Sequence, residues 1–339
     1  MKASDIQPNP CDRVPLVVVT GTTSRIGFGT GGLLRIGSAR RRQSVLAAAL
    51  ASGITHFDTA PIYGLGESER SLGRFLAGHR HGVTVTTKFG LRPSALAARL
   101  ASLQRVGRRA LRAFPVLRRA AMQYSGALYT SPCFAPDAVR ACLEASLRAL
   151  RTDHIDLYLA HQAAPEAMPE EELIDRLEEL RRAGKIRAYG VATDLEKLSA
   201  VLERRPRLAR VVQYDRDPTD GRAPTLPPSA ARLIITYGSL GRAIARCRAR
   251  GAAAEHSRDL ELADQDALGS LLLRAAVLSN PLGIVLMQSR SVARIERNVQ
   301  AANSSAADER VEALLRLFKA DPDRDGHSMA RAQAERAHG

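Results

Sequence analysis

The 339-residue chain has no tryptophan, and aromatic residues make up only 4% of it. So few rings give little material for the stacking platforms on which single-stranded nucleic acids lie. No apolar run approaches the ~20 residues that a membrane-spanning helix needs. The N-terminal stretch MKASDIQPNPCDRVPLVVV lacks the apolar core and small-residue cleavage site of a secretory signal, so a cytoplasmic location is expected. Cysteine is confined to Cys11, Cys133, Cys142 and Cys247, with no CxxC pair and no Cys/His ligand spacing. Free thiols are then the simpler reading, and a structural metal is not expected. Acidic residues are also under-represented, leaving a formal charge of +15. The arginines cluster only at 40–42, 105–119 and 242–250, a pattern that argues for anionic small molecules over a specific nucleic-acid partner.

What is present is an alternation. Strand-like apolar runs at 25–28, 54–57, 83–87, 155–160, 186–191, 209–213, 233–237 and 283–287 are separated by helix-like amphipathic stretches. Those helices are expected at 42–52, 69–76, 136–150, 170–183, 194–204, 264–278 and 291–301, with Ser68 as an N-cap for the second. Repeated strand–helix units point to a parallel α/β fold, and eight of them to a (β/α)8 barrel. Residues 1–320 are expected to form one barrel domain, with a short hairpin at 17–20 closing its bottom. The polar stretch 321–339 reads as a disordered tail. The proline-rich DRDPTDGRAPTLPPSAAR, 215–232, suits no ordinary helix, so the helix between strands six and seven is expected to be reduced. An Arg- and Ala-rich insertion at 92–135 would sit on the face where barrels carry their sites.

Two motifs mislead. Gly27, Gly29 and Gly32 have GxGxxG spacing, but no helix starts directly after them, as a dinucleotide fingerprint requires. DPDRDG at 321–326 copies the start of a calcium loop, but Pro322 interrupts the ligands and Ala332 stands where the closing glutamate belongs.

Asp58, Lys88 and His161 close the second, third and fourth strands, and Tyr63 lies in the turn after Asp58. In a barrel these strand ends open on one face. Alone, each has an ordinary alternative as a turn cap, a solvated strand end, a core histidine or a packed ring; the shared face gives the set its meaning. A phenol with a reference pKa near ~10 is a poor acid, and a neighbouring ammonium is expected to lower that value. Asp58 would keep Lys88 charged, and His161 would align a carbonyl oxygen for proton donation by Tyr63.

FDTAPIYGLGESERSLG, VTTKFG, SLRALRTDHIDLYLAH and GKIRAYGV resemble, in order, blocks of the aldo-keto reductase family. The resemblance covers most of 24–303 and implies a barrel that binds a nicotinamide nucleotide, usually NADPH with NAD possible, without a Rossmann domain. It also implies an enzyme that interconverts an aldehyde, ketone or aldose with an alcohol or lactone. Asp58, Tyr63, Lys88 and His161 match the family's catalytic tetrad. Cofactor positions carry over to Thr30, Asp58, Gln213, Tyr237, Ser239, Leu240, Gly241, Ser289, Arg290, Arg294 and Asn298. Gln213 would hold the carboxamide, Tyr237 would stack on the nicotinamide, and Ser239–Gly241 would bind the pyrophosphate. Departures are Ala192 and Thr193 in place of Ser and Asn, and Gln288 in place of a common Lys. They keep open a second expectation, a family-fold binding or regulatory protein with weak catalysis.

Overall fold

Apolar strands form a barrel here because each is covered on both faces. Ile155–His161, IDLYLAH, is buried along nearly its whole length, as a parallel strand with side chains inside and helices outside must be. The computed structural model describes residues 13–16, 18, 21–94, 130, 132–220, 232–251 and 264–319. Strands β1 (Arg13–Pro15) and β2 (Thr22–Ser24) pair antiparallel. Eight further strands follow: β3 (Ile26–Gly29), β4 (His56–Asp58), β5 (Thr84–Phe89), β6 (Ile155–His161), β7 (Ile186–Thr193), β8 (Val211–Asp215), β9 (Leu233–Tyr237) and β10 (Ile284–Met287). They close into a barrel in chain order, with β10 returning to β3, and every pairing is parallel. The expected fold class is thereby met.

The α-helices among the described residues are α1 (Ala39–Ala51), α2 (Glu67–Leu76), α3 (Pro136–Leu150), α4 (Glu170–Arg182), α5 (Leu195–Arg204), α6 (Ser239–Gly251), α7 (Gln265–Ser279), α8 (Val292–Asn303) and α9 (Asp308–Lys319). Local sequence sets several ends. Three glutamates open α4 and two arginines close it, complementing the helix dipole. The Asp264 carboxylate caps α7 by accepting from the backbone of Asp266 and Ala267. Ser68 does not cap α2. The cap is Gly66, at a left-handed φ of 84°, and the Ser68 hydroxyl instead donates to the Thr30 carbonyl at 3.2 Å.

The apolar interior has two principal layers. Outward-facing strand residues meet the helices in one cluster, while Leu157, Leu159, Val211, Leu233, Ile235 and Ile284 meet inside the barrel. Val14 and Leu16 belong to the inner cluster, so the segment that includes β1 plugs the floor. Of the expected hairpin stretch 17–20, residues 17, 19 and 20 lie outside the described residues; the pair β1–β2 brackets it.

Neither α6 nor α9 is expected from the sequence. They pack on α7 through Ala243, Cys247, Leu268, Leu272, Val311 and Leu314. Among the described residues no helix separates β8 from β9, although 221–231 lie outside them. Most of the 92–135 insertion (95–129 and 131) and the 321–339 tail also lie outside the described residues. Cys133, Cys142 and Cys247 are free thiols. No helix among the described residues is long and apolar enough to cross a membrane.

Candidate active site

Asp58 ends β4 and Lys88 lies near the end of β5, in neighbouring parallel strands with both side chains buried. The Lys88 ammonium donates to Asp58 Oδ1 at 2.7 Å, to Oδ2 at 2.8 Å and to the Thr59 carbonyl at 2.9 Å. A buried ammonium is costly unless paired and hydrogen-bonded, and here all three contacts meet that condition. Burial works against the lysine's charge, but Asp58 and Tyr63 together outweigh it and the pKa is raised.

Tyr63 comes from the turn after β4. Gly64, Leu65 and Gly66 take consecutive positive φ angles of 56°, 56° and 84°, which turns the chain over the strand ends. Two of the three are glycine, which tolerates this region; Leu65 is held there against its preference. Lys88 Nζ stands 5.4 Å from the Tyr63 ring centroid, and the His161 ring meets Tyr63 edge-on at 6.2 Å. The expected lowering of the phenol's pKa is not found. Burial raises it more than the Lys88 charge lowers it, so the resting phenol holds its proton. Burial, assisted by Lys88, lowers His161 to about 3, which leaves a neutral imidazole at neutral pH.

Gln213, in β8, donates from Nε2 to Asp58 Oδ2 at 2.9 Å. Its Oε1 is buried without a partner, as is His161 Nδ1. Each is left for a partner that the protein itself does not supply. Ala192 offers no polar side-chain atom, and the Thr193 hydroxyl is committed to the Ala163 carbonyl at 2.9 Å. The Gln213 amide oxygen is a buried acceptor that the protein leaves unpaired. Thr30, expected at the cofactor, is fully buried, and its hydroxyl donates to Thr59 Oγ1 at 2.9 Å.

Beside the tetrad runs a cleft of about 240 Å3, which does not include the tetrad itself. Gly32, Leu33 and Arg35 form one wall, Leu240 and Ile244 another, and Gln288, Ser289, Arg290, Arg294 and Asn298 line the side formed by β10 and α8. Gln288 Oε1 accepts from the Gly32 amide at 2.9 Å, joining the loops after β3 and β10. The predicted residues thus fall at two adjoining places. Asp58, Tyr63, Lys88, His161 and Gln213 meet at the barrel mouth, and Leu240, Ser289, Arg290, Arg294 and Asn298 line the cleft. Tyr237 ends β9 against the inner cluster, and Ser239 and Gly241 lie in the first turn of α6. Arg35 and Asp266 also line the cleft and are absent from the sequence reading.

The pattern described as "Aldo/keto reductase family" matches residues 25–216, more than half of the chain. The chain belongs to the aldo-keto reductase family. A Bacillus subtilis relative, the aldo-keto reductase YhdN, is 32% identical over 65% of this chain and 60% of its own. The chain therefore spans less than two thirds of that relative's length. A Strobilurus tenacellus aldo-keto reductase is 26% identical over 87% of this chain and 88% of its own. Solved aldo-keto reductase folds superpose well at low identity. A glycerol dehydrogenase from Gluconobacter oxydans has a TM-score of 0.63 at 21% identity, covering 91% of this chain and 96% of its own. A Klebsiella pneumoniae aldo-keto reductase solved with NADPH has a TM-score of 0.61 at 22% identity, covering 88% and 92%.

Proposed function

We propose that the protein is a nicotinamide-nucleotide-dependent oxidoreductase. It would interconvert a small aldehyde, ketone or aldose with its alcohol or lactone, using NADPH and also accepting NADH. The observation that carries this reading is the Lys88 ammonium, locked on both oxygens of Asp58 and facing the Tyr63 phenol.

The residues present suit such a nucleotide. Gln213 Oε1, buried and unpaired, is an acceptor for carboxamide N–H groups. Tyr237 would flank the nicotinamide, and Ser239, Leu240 and Gly241 would meet the pyrophosphate at the first turn of α6, where backbone amides favour anions. Ser289, Arg290, Arg294 and Asn298 would hold the adenosine end. Bound there, the nicotinamide supplies or accepts the hydride. Neutral His161 donates an N–H to the carbonyl oxygen and fixes its position. Tyr63 delivers its proton to that oxygen as alkoxide character develops. A phenol raised by burial still serves, because an alkoxide is the stronger base. Lys88 offsets the phenolate left behind, and Asp58 holds Lys88 in place.

The test is a titration of the purified protein with NADPH and NADH, followed by a carbonyl substrate panel and the Tyr63→Phe variant. Nucleotide binding should be nearly unchanged in the variant and carbonyl reduction lower by roughly 10²–10⁴-fold, the range for a lost general acid. Unchanged turnover would remove Tyr63 from its role. A second reading, nucleotide binding without turnover, is favoured by one observation: Ala192 offers no polar group and the Thr193 hydroxyl gives its proton to Ala163, leaving fewer groups to orient a nicotinamide. Tight nucleotide binding with no activity across the panel would select it.

A further inference from the structure

The adenosine-side cleft contains a carboxylate that its proposed task does not explain. Asp266, at the second position of α7, lines the cleft together with Arg35, Arg290 and Arg294. Its Oδ1 accepts from Arg294 Nε at 2.8 Å and its Oδ2 from Arg297 Nη2 at 2.7 Å. The position is firmly set. Asp264 holds the Asp266 amide at 2.8 Å, and the Ser270 hydroxyl ties the Asp266 carbonyl at 3.1 Å to Asn298 Oδ1 at 2.9 Å, linking α7 to α8.

We propose that Asp266 is the residue that sets the choice between nucleotides, restraining selection of the 2′-phosphate by occupying Arg294. The inference rests on the nucleotide reading above and concerns the same site. A guanidinium grips phosphate best through two parallel N–H bonds. With Nε engaged by Asp266, the Nε-side edge of Arg294 is closed to a phosphate and only its Nη end is left, next to a carboxylate. A 2′-phosphate must therefore displace the carboxylate, or accept a poorer contact beside a like charge. A ribose bearing free hydroxyls faces the opposite balance, because a carboxylate is an acceptor and can take their protons. The phosphate is not shut out. Arg35 and Arg290 line the same cleft, and neither has an acidic partner among the described residues. Three cations against one anion favour a modest preference for NADPH, with NADH still admitted.

Two variants of the full-length protein pull in opposite directions. Asp266→Asn keeps the shape, removes the charge and releases Arg294. The ratio of NADPH to NADH affinity, measured by titration calorimetry, should rise about tenfold, equal to about 1.4 kcal/mol, mainly through tighter NADPH. Arg297→Ala leaves Asp266 paired with Arg294 alone, strengthens that pair, and should move the ratio several-fold toward NADH. A ratio unchanged within about twofold in both variants overturns the proposal. So does equal weakening of both nucleotides in Asp266→Asn, the mark of a purely structural residue. Binding of neither nucleotide by the folded wild-type protein overturns the nucleotide reading beneath it, whereas measurable binding with a fixed ratio overturns this inference alone.

Discussion

Single residues in this barrel are governed by how burial and charge compete. His56 shows it most simply. Enclosed in the barrel and hydrogen-bonded to Thr84 at 2.9 Å and Thr86 at 3.2 Å, it has a pKa lowered by burial, and then by Lys88, to about 3. His161 behaves alike. In the unfolded chain both imidazoles take protons near pH 6.5, while in the folded chain they stay neutral down to about pH 3. The unfolded state thus binds more protons in that window, and stability falls as pH drops through it. Two such groups amount to about 2 kcal/mol per pH unit between pH 6 and 5. Urea midpoints at pH 7 and pH 5 should show this loss, and His56→Gln should remove about half of it. Equal midpoints for the wild-type protein at the two pH values would contradict the argument. The same competition explains what the sequence could and could not say of the tetrad. Its residue types and strand-end positions were legible. The resting state of Tyr63 was not, because the sequence shows the neighbouring lysine but not how deeply the phenol is buried.

At the level of elements, close approach decides what is tolerated. Gly73 of α2 faces the end of α3 so closely that an added Cβ would lie 2.3 Å from the Ala149 carbonyl oxygen and 2.8 Å from the Leu150 backbone. Backbone cannot swing aside as a side-chain tip can. Gly73→Ala should therefore cost about 1–3 kcal/mol, read as a lower urea midpoint, without altering the site chemistry. A neutral outcome would mean that the two helices can separate freely. Elements were legible where apolar runs sat between turn signals, which is why all eight barrel strands agree in order and lie within about two residues of expectation. Two helices escaped notice for different reasons. The inner face of α6 rests on Ala243 and Cys247, small residues that leave a weak stripe among arginines. Val311, Leu314 and Phe318 give α9 a readable stripe, but it follows the last strand–helix unit, so barrel periodicity gave no reason to expect it. Arg35 and Asp266 reach the cleft only through packing, and no local spacing announces them.

For the molecule as a whole, one end of the barrel is sealed while the other carries Asp58, Tyr63, Lys88 and His161. Val14 and Leu16 seal the floor, each almost wholly buried in the inner cluster. Leu16→Ala should leave a cavity there and lower stability by about 2–4 kcal/mol in chemical denaturation, with nucleotide affinity little changed because the mouth is the opposite end. A large loss of affinity at unchanged stability would show that the floor and the mouth are coupled. At the mouth, Asp58 accepts hydrogen bonds from Lys88 and Gln213 together. That sharing limits how the protein can diversify. A descendant could acquire a new substrate by changing residues around the rim, one at a time, with each intermediate still active. It could not alter Gln213 without disturbing the carboxylate that steadies Lys88. Inheritance should therefore conserve Asp58, Lys88 and Gln213 as a block, while the rim drifts.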